Sequence, residues 1–373
     1  MPKPPGTLRV FLIGESAAKG YPQPRNLAMS SFLEAMLSDL CPGKKIEVIN
    51  LGTVAVASFP LVYAVRDALK FSPDLLVFYT GNNEFFGAYG TASINSSASL
   101  PPWALRVMRA ARGLALVQAL DGLLYRGADG SSTLMEAMIG QTFIPCDSPL
   151  REAAARNLAA NLGTMLEDVR AAGLPSIVCT TASNESGMAP LGVDDLAGLD
   201  DQRRTEVQRL LADAEEASDP ARAVDLLREA ARLAPRHARA RFLLGQALAR
   251  SGATAEAGRA FLEARDLDTM PWRPISLTEQ AIRSVAGSKG AVFCDVAEKF
   301  RSGNPEGAAG WELLDDHVHL SVAGQAAAAR MMASSAAPLF GSSSEAVAAL
   351  PADEVYAESL GRNLYDDYSV SWQ

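Results

Sequence analysis

The sequence predicts an α/β protein, a parallel sheet with helices on both faces, and three observations carry that expectation. Short apolar runs rich in β-branched residues recur along the chain: Leu8 to Ile13, Ile46 to Asn50, Leu75 to Tyr79, Ser176 to Thr180 and Ala291 to Val296. Their apolarity is mostly continuous rather than alternating, as in strands covered on both faces. Helix-compatible segments separate them, so strand and helix alternate as parallel pairing through crossover connections requires.

Taken in order, the first run ends at Gly14 and leads into Gly14-Glu15-Ser16-Ala17. A helix is expected from Asn26 to Leu40. The second run leads into Asn50-Leu51-Gly52, followed by a helix from Pro60 to Phe71, and the third into Gly81-Asn82-Asn83-Glu84. Between Gly90 and Ile144, the serines from Ser93 to Ser99 and the Pro101-Pro102 pair suggest a loop. An amphipathic helix from Trp103 to Leu124 follows, serving either as a cap over a cleft or as plain packing. A helix from Leu150 to Ala172 then stops at Gly173, a natural residue for a left-handed C-terminal cap.

From about Asp200 to Asp268 the composition shifts to Ala, Arg, Leu and Glu with no plausible strand. At a spacing of 34 residues Ala223 matches Ala257, Leu227 matches Phe261 and Ala230 matches Ala264, while Gly245, Leu248 and Gly252 occupy the small and large positions of the second copy. Pro235 closes the first unit and Thr269 stands where a second proline would be. This period resembles tetratricopeptide repeats, although an Ala-rich helical hairpin gives the same composition. Each repeat leaves an apolar face for a neighbour to cover, so the segment is expected to lean on the α/β domain or on a protein partner. The implied organisation is a discontinuous α/β domain over 7–199 and 272–340, a helical insert over 200–271 and a C-terminal extension over 341–373 without an assigned role.

Composition excludes several classes. With 34 Lys and Arg against 43 Asp and Glu, the net charge is −9, and no basic cluster offers a surface for nucleic acid or an anionic membrane. The four cysteines, Cys41, Cys146, Cys179 and Cys294, lack CxxC spacing and read as small buried hydrophobes rather than a disulfide framework or a metal site. No run reaches the roughly 18 apolar residues that span a bilayer, and Val10 to Ile13 is too short for a signal peptide core. A cytoplasmic location is expected as the chain stands; an N-terminal export or anchor segment removed earlier would leave no trace in it.

Ligands of open α/β sheets bind beyond the carboxyl ends of strands where the winding reverses. Ser16 follows the first strand in a tight turn, where its hydroxyl can face the crevice. Of the three histidines, His237, His317 and His319, His319 can take the serine proton, and Asp316, three residues earlier, can hold the imidazole. Asn83 offers a side-chain amide for an oxyanion, Gly52 an unobstructed backbone N–H, and Ser16 its own N–H. Each feature alone has an ordinary structural explanation, a helix cap, a turn or a glycine hinge. Their combination and order are far more specific.

That order, an early serine, then a glycine, then GxN, then DxxH before the last helix, resembles the SGNH hydrolases, also called GDSL-type esterases and lipases. His319-Leu320-Ser321-Val322-Ala323-Gly324 is similar to the family's last block. The resemblance implies a flavodoxin-like three-layer α/β/α sandwich with a parallel five-stranded sheet. It also implies a Ser16-His319-Asp316 triad and an oxyanion hole of Ser16, Gly52 and Asn83. Glu15 and Glu84 depart from the family's aspartates by one methylene each. Asp315 and His317 form a second acid-x-His pair of the kind some SGNH-like O-acetyltransferases use; Asp316 and His319 are preferred because Leu320-Ser321 follows. His237 reads as a solvated helix residue. Ser16-Ala17-Ala18-Lys19 fits S-x-x-K without its companion motifs, and Ala18 breaks G-x-S-x-G.

Phe85, Phe86 and Tyr89 are candidates for lining an acyl or sugar pocket, although core packing is the competing reading. Asn184 and Arg273 are candidates for polar substrate contacts. The function expected is hydrolysis of a small ester, an acylated carbohydrate or a lipid, with no cofactor and no metal. O-acyl transfer to a carbohydrate uses the same groups, and a non-catalytic scaffold whose repeats bind a protein is the reading from another class.

Overall fold

The computed structural model of the protein describes residues 2–94 and 139–370; the helix expected over Trp103 to Leu124 and most of the Ser-rich stretch before it lie outside them. The five expected strands form: β1 (Thr7–Gly14), β2 (Lys45–Asn50), β3 (Leu75–Tyr79), β4 (Ser176–Cys179) and β5 (Val292–Cys294). They pair in parallel in the order β2-β1-β3-β4-β5, the flavodoxin-like order. Gly14 lies beside Tyr79, Tyr79 beside Cys179 and Cys179 beside Cys294, so the carboxyl ends of four strands are level. The chain leaves β1 toward β2 and returns on the other side to β3, which places the reversal between β1 and β3.

Residue alternation sorts the two helical layers. Val10, Leu12, Val77 and Ile177 face α1 (Ser16–Lys19), α2 (Met29–Leu40) and the late helix Val322–Ala336, packing on Phe32, Leu33, Met36 and Met332. Phe11, Ile13, Leu76, Phe78 and Val178 face α3 (Ser58–Ala68), α4 (Pro149–Ala171) and the helix Ser276–Lys289. Fully burying each such side chain is worth about 1.5–3 kcal/mol. The sandwich is therefore held from both sides of every central strand.

Helix ends follow local chemistry. Helix α2 starts at Met29 rather than at the expected Asn26, because Ala28 is extended (φ −74°, ψ 152°) and separates it from a short 3₁₀ turn at Arg25–Leu27. Helix α3 starts at Ser58, two residues before the expected Pro60; a proline in the first turn removes only an N–H that has no intrahelical partner. Ser148 caps α4, and Gly173 follows it at φ 71°.

The region without strands folds as α5 (Asp201–Glu216), α6 (Pro220–Leu233), α7 (Ala238–Arg250) and α8 (Thr254–Leu267), each packed on the next. Ala223, Leu227, Phe242, Leu248, Ala257, Phe261 and Ala264 form their shared core. Gly245 is required for the α7–α8 approach, since a Cβ there would meet the Phe261 ring at 2.7 Å. The remaining helices are α9 (Ser276–Lys289), α10 (Val296–Ser302), α11 (Val322–Ala336), α12 (Ser344–Ala348), α13 (Asp353–Ser359) and α14 (Leu364–Val370). The C-terminal extension is thus partly integral to the sandwich: Tyr356 is buried against its first layer and donates to Asp39 Oδ2 at 2.6 Å. Cys41, Cys179 and Cys294 are buried and Cys146 half-buried, all as free thiols. Among the described residues no helix is long and apolar enough to cross a membrane.

Candidate active site

The site is built where β1 and β3 end. Gly14 has no alternative, since a Cβ would lie 2.0 Å from the Tyr79 carbonyl oxygen. The chain can therefore turn at once into α1, whose first residue is Ser16 and whose single turn stops at Gly20 (φ 97°). Ser16 Oγ lies 2.7 Å from His319 Nε2, and His319 Nδ1 lies 2.6 Å from Asp316 Oδ2. The other carboxylate oxygen, Oδ1, accepts the backbone N–H groups of Val318 (2.9 Å) and His319 (2.8 Å). One aspartate thus fixes both the imidazole and the loop that carries it.

Electrostatics favour a fixed charge at this point. Burial pushes the Asp316 carboxyl up, but the hydrogen bond with His319 and the potential of His317 and His319 outweigh it and hold the group well below the usual carboxylate range. His317 is pushed down to about 4, chiefly by burial, against the pull of Asp316. It stands 3.4 Å from Asp316 Oδ1 and is neutral at pH 7. The Tyr21 ring meets His319 edge-on at 4.8 Å, and Trp272 meets His317 at 5.5 Å. Nothing local in the sequence signals either aromatic contact.

Asn83 leaves β3 in a turn that Glu15 holds, its carboxylate accepting from Thr80 Oγ1 at 2.6 Å and Gly81 N at 3.0 Å. The Asn83 amide nitrogen is buried and has no partner among the described residues. Gly52 differs from expectation. Its N–H is not unobstructed but donates to Asn50 Oδ1 at 2.8 Å. The residue is small for a packing reason, because a Cβ would lie 2.2 Å from Lys19 N. Three residues on, Ala55 holds a left-handed backbone (φ 59°) and its carbonyl receives Ala88 N at 2.9 Å, joining this loop to the one after Asn83.

The candidate substrate contacts divide. Phe85 is buried with Ala92, Ile144, Ala154 and Ile275, a core position rather than a pocket lining. Phe86 belongs to the same cluster and stacks at a tilt on Trp272 at 4.8 Å. Tyr89 is half-buried, at φ 69°, against Phe59. Arg273 is corrected from a substrate contact to a buried strut: its guanidinium donates to the carbonyls of Asn184 and Met188, both at 2.8 Å, and to Asp268 at 3.2 Å. Asn184 is fully buried; its N–H donates to the His317 carbonyl at 3.0 Å, its Oδ1 accepts from Gly187, and its amide nitrogen is unpartnered among the described residues. His237 is also corrected. It is the buried cap of α7, its Nδ1 accepting from Ala240 N at 3.2 Å and lying 3.3 Å from Asp194 Oδ1.

No family model matches the chain, and no curated protein matches it in sequence. Among solved structures it is similar to an acetyl xylan esterase, at 12% identity and a TM-score of 0.42 over 87% of this chain and 98% of that one. It is also similar to the lipase/acylhydrolase from Enterococcus faecalis (11%, 0.42, 89% and 97%). A third is a member of the lipolytic protein G-D-S-L family from Veillonella parvula (9%, 0.37, 90% and 99%).

Proposed function

We propose that the protein is a serine hydrolase of the SGNH, or GDSL, type acting on ester bonds. The observation that carries this reading is the unbroken line from Ser16 Oγ through His319 to Asp316 at the reversal point of the sheet. Ser16 Oγ attacks the ester carbonyl while His319 Nε2 takes its proton, and Asp316 stabilises the imidazolium that results. The Asn83 amide and the Ser16 N–H receive the oxyanion. Collapse of the tetrahedral intermediate breaks the ester C–O bond, and His319 returns the proton to the departing alcohol. Water then attacks the acyl-enzyme with His319 as base, releasing the acid and restoring Ser16. This chemistry calls for no metal or organic cofactor.

The same reading takes 7–199 and 272–340 as one catalytic unit and 200–271 as a tetratricopeptide-like insert. It is supported by the spacing of α6 and α8 and by the Gly245–Phe261 contact. A fluorophosphonate probe is expected to label Ser16. Replacing Ser16 or His319 with alanine is expected to lower ester turnover on the order of 10⁴-fold or more. Undiminished turnover by Ser16→Ala sinks the mechanism. A series of p-nitrophenyl esters of increasing acyl length, run beside acetylated sugars, defines the substrate.

A further inference from the structure

A row of rings borders the nucleophile. Tyr21 meets His319 at 4.8 Å between centroids, His319 meets His317 at 5.7 Å, His317 meets Trp272 at 5.5 Å, and Trp272 meets Phe86 at 4.8 Å. The two ends of the row differ in what surrounds them. Phe86 belongs to the core cluster of Ile144, Ala154 and Ile275, and Trp272 packs against that cluster, so both rings are taken up by packing. Tyr21 is 40% exposed, whereas Ser16 and His319 beside it are 8% and 9% exposed. The reactive groups thus present little of themselves to solvent, and the aromatic surface offered next to them is that of Tyr21.

The segment that carries this ring is fixed at both ends. Gly20 N and Tyr21 N both donate to the Ser16 carbonyl, at 3.2 and 3.1 Å, so the backbone of Tyr21 hangs from the nucleophile itself. Gly20 makes the turn at φ 97°, where a Cβ would also lie 2.4 Å from Ala28 Cβ. Two residues after Tyr21, the Gln23 side chain donates to Asp315 Oδ2, on the residue before Asp316. One end of the segment is therefore tied to Ser16 and the other to the loop of Asp316 and His319. A ring already held in place gives up little freedom when a ligand settles on it.

The chemistry of the ester says which part of a substrate comes here. His319 Nε2 hands the proton it took from Ser16 to the ester oxygen as the acyl C–O bond breaks, so the alcohol departs neutral. That oxygen has to come within hydrogen-bond reach of Nε2, about 2.6–3.2 Å. The carbonyl oxygen is directed elsewhere, to the Asn83 amide and the Ser16 N–H. A ring in contact with His319 therefore stands next to the first atoms of the alcohol. We propose that Tyr21 is a specificity-determining residue for the alcohol side of the ester, a platform on which an alcohol built on a six-membered ring rests as it leaves. A flat, uncharged aromatic ring packs well on another ring, through its face or its C–H edge, and gains little from an alkyl stub. Trp272 does not compete for this role, because its ring already lies on Phe86 and against His317.

This role rests on the esterase reading, and the two fail differently. The methyl ester, the phenyl ester and the 6-O-ester of methyl glucopyranoside, all of one acyl group, form the same acyl-enzyme and differ only in the alcohol. Their kcat/KM values therefore compare how each alcohol is held as it departs. Tyr21→Ala is expected to lower kcat/KM for the phenyl or the glucoside ester about tenfold more than for the methyl ester, the scale of one ring contact. Tyr21→Phe, which keeps the ring, is expected to restore the ratio, and Tyr21→Leu, which keeps bulk without a ring, to share the loss. A loss confined to the glucoside assigns a sugar to the platform, and one confined to the phenyl ester assigns an aryl alcohol. A residue that only steadied His319 would lower all three esters alike, because the imidazole serves every one of them. An unchanged ratio of ring to methyl ester in Tyr21→Ala or Tyr21→Leu, with the thermal midpoint of wild type, overturns the proposal. So does a ratio that falls as far in Tyr21→Phe. Undiminished turnover by Ser16→Ala removes the esterase reading and this role with it, whereas an inactive Ser16→Ala beside an unchanged ratio in Tyr21→Ala removes the platform alone.

Discussion

Asp316 meets His319 twice, once on the ring and once on the backbone, and the two contacts fail differently when it is changed. In Asp316→Asn the amide oxygen can still accept a backbone N–H, so the loop keeps its shape, but the neutral side chain no longer stabilises the imidazolium. A loss in kcat on the order of 10⁴-fold with little change in KM is expected, measured on the best ester from the screen. Stability carries a matching pH signature. The lowered carboxyl of Asp316 contributes above its unfolded value and is lost as pH falls below it. His317, lowered by burial, adds to this. The unfolded chain protonates it near 6.5 while the fold resists down to about 4, so stability falls as pH drops across that window. His317→Gln is expected to flatten the slope between pH 6.5 and 4 in urea melts. Ser16, Asn83 and the Asp316–His319 spacing were legible as a group because each stands next to a strand end or within one turn of chain. The Gly52 hydrogen bond and the strut role of Arg273 were not, because the first depends on the Asn50 rotamer and the second on carbonyls 85 and 89 residues away.

Between elements, one buried link is ionic. Arg265 at the end of α8 and Arg301 on α10 share Glu185, from the loop after β4, and Glu279, on α9. Arg265 and Glu185 are almost wholly inaccessible, at 0% and 1% side-chain exposure, so water screens this link little. Glu185→Gln leaves two guanidinium groups short of a partner and is expected to cost about 3–5 kcal/mol in urea denaturation. Arg209→Ala, which breaks the exposed pairs with Glu206 and Asp213 on α5, is expected to cost under about 1 kcal/mol. Apolar runs located all five strands, because the central ones, β1, β3 and β4, are buried on both faces and need no periodic signal, while β2 and β5 at the sheet edges are only partly covered. Helices α12 and α13 stayed unread because each is short and few apolar residues, such as Tyr356 and Ala357, anchor them.

At the scale of the whole molecule, helices α5 to α8 are joined to the sandwich at several separate places. Arg151 on α4 donates to the carbonyls of Ile144 and Pro145 and, across the junction, to those of Asp266 and Asp268. Asp268 receives the N–H groups of Leu191 and Gly192, Arg236 pairs with Asp147 and Asp195, and Gly258 packs on the Gly307 backbone. Removing the helices would strip partners from Glu185, Glu279 and Arg151 together, three charged groups with little or no exposure that are costly to leave unpaired. Asn184, which supports the His317 carbonyl, is held by Arg273 on the segment after α8. Helices α5 to α8 and the sandwich are therefore expected to unfold in one transition. Far-UV circular dichroism, dominated by helices, and fluorophosphonate labelling of Ser16 should lose signal at the same urea concentration. A labelling-competent protein that has already lost a distinct helical fraction would show instead that α5 to α8 fold on their own and that their contacts do not support the loop of His319.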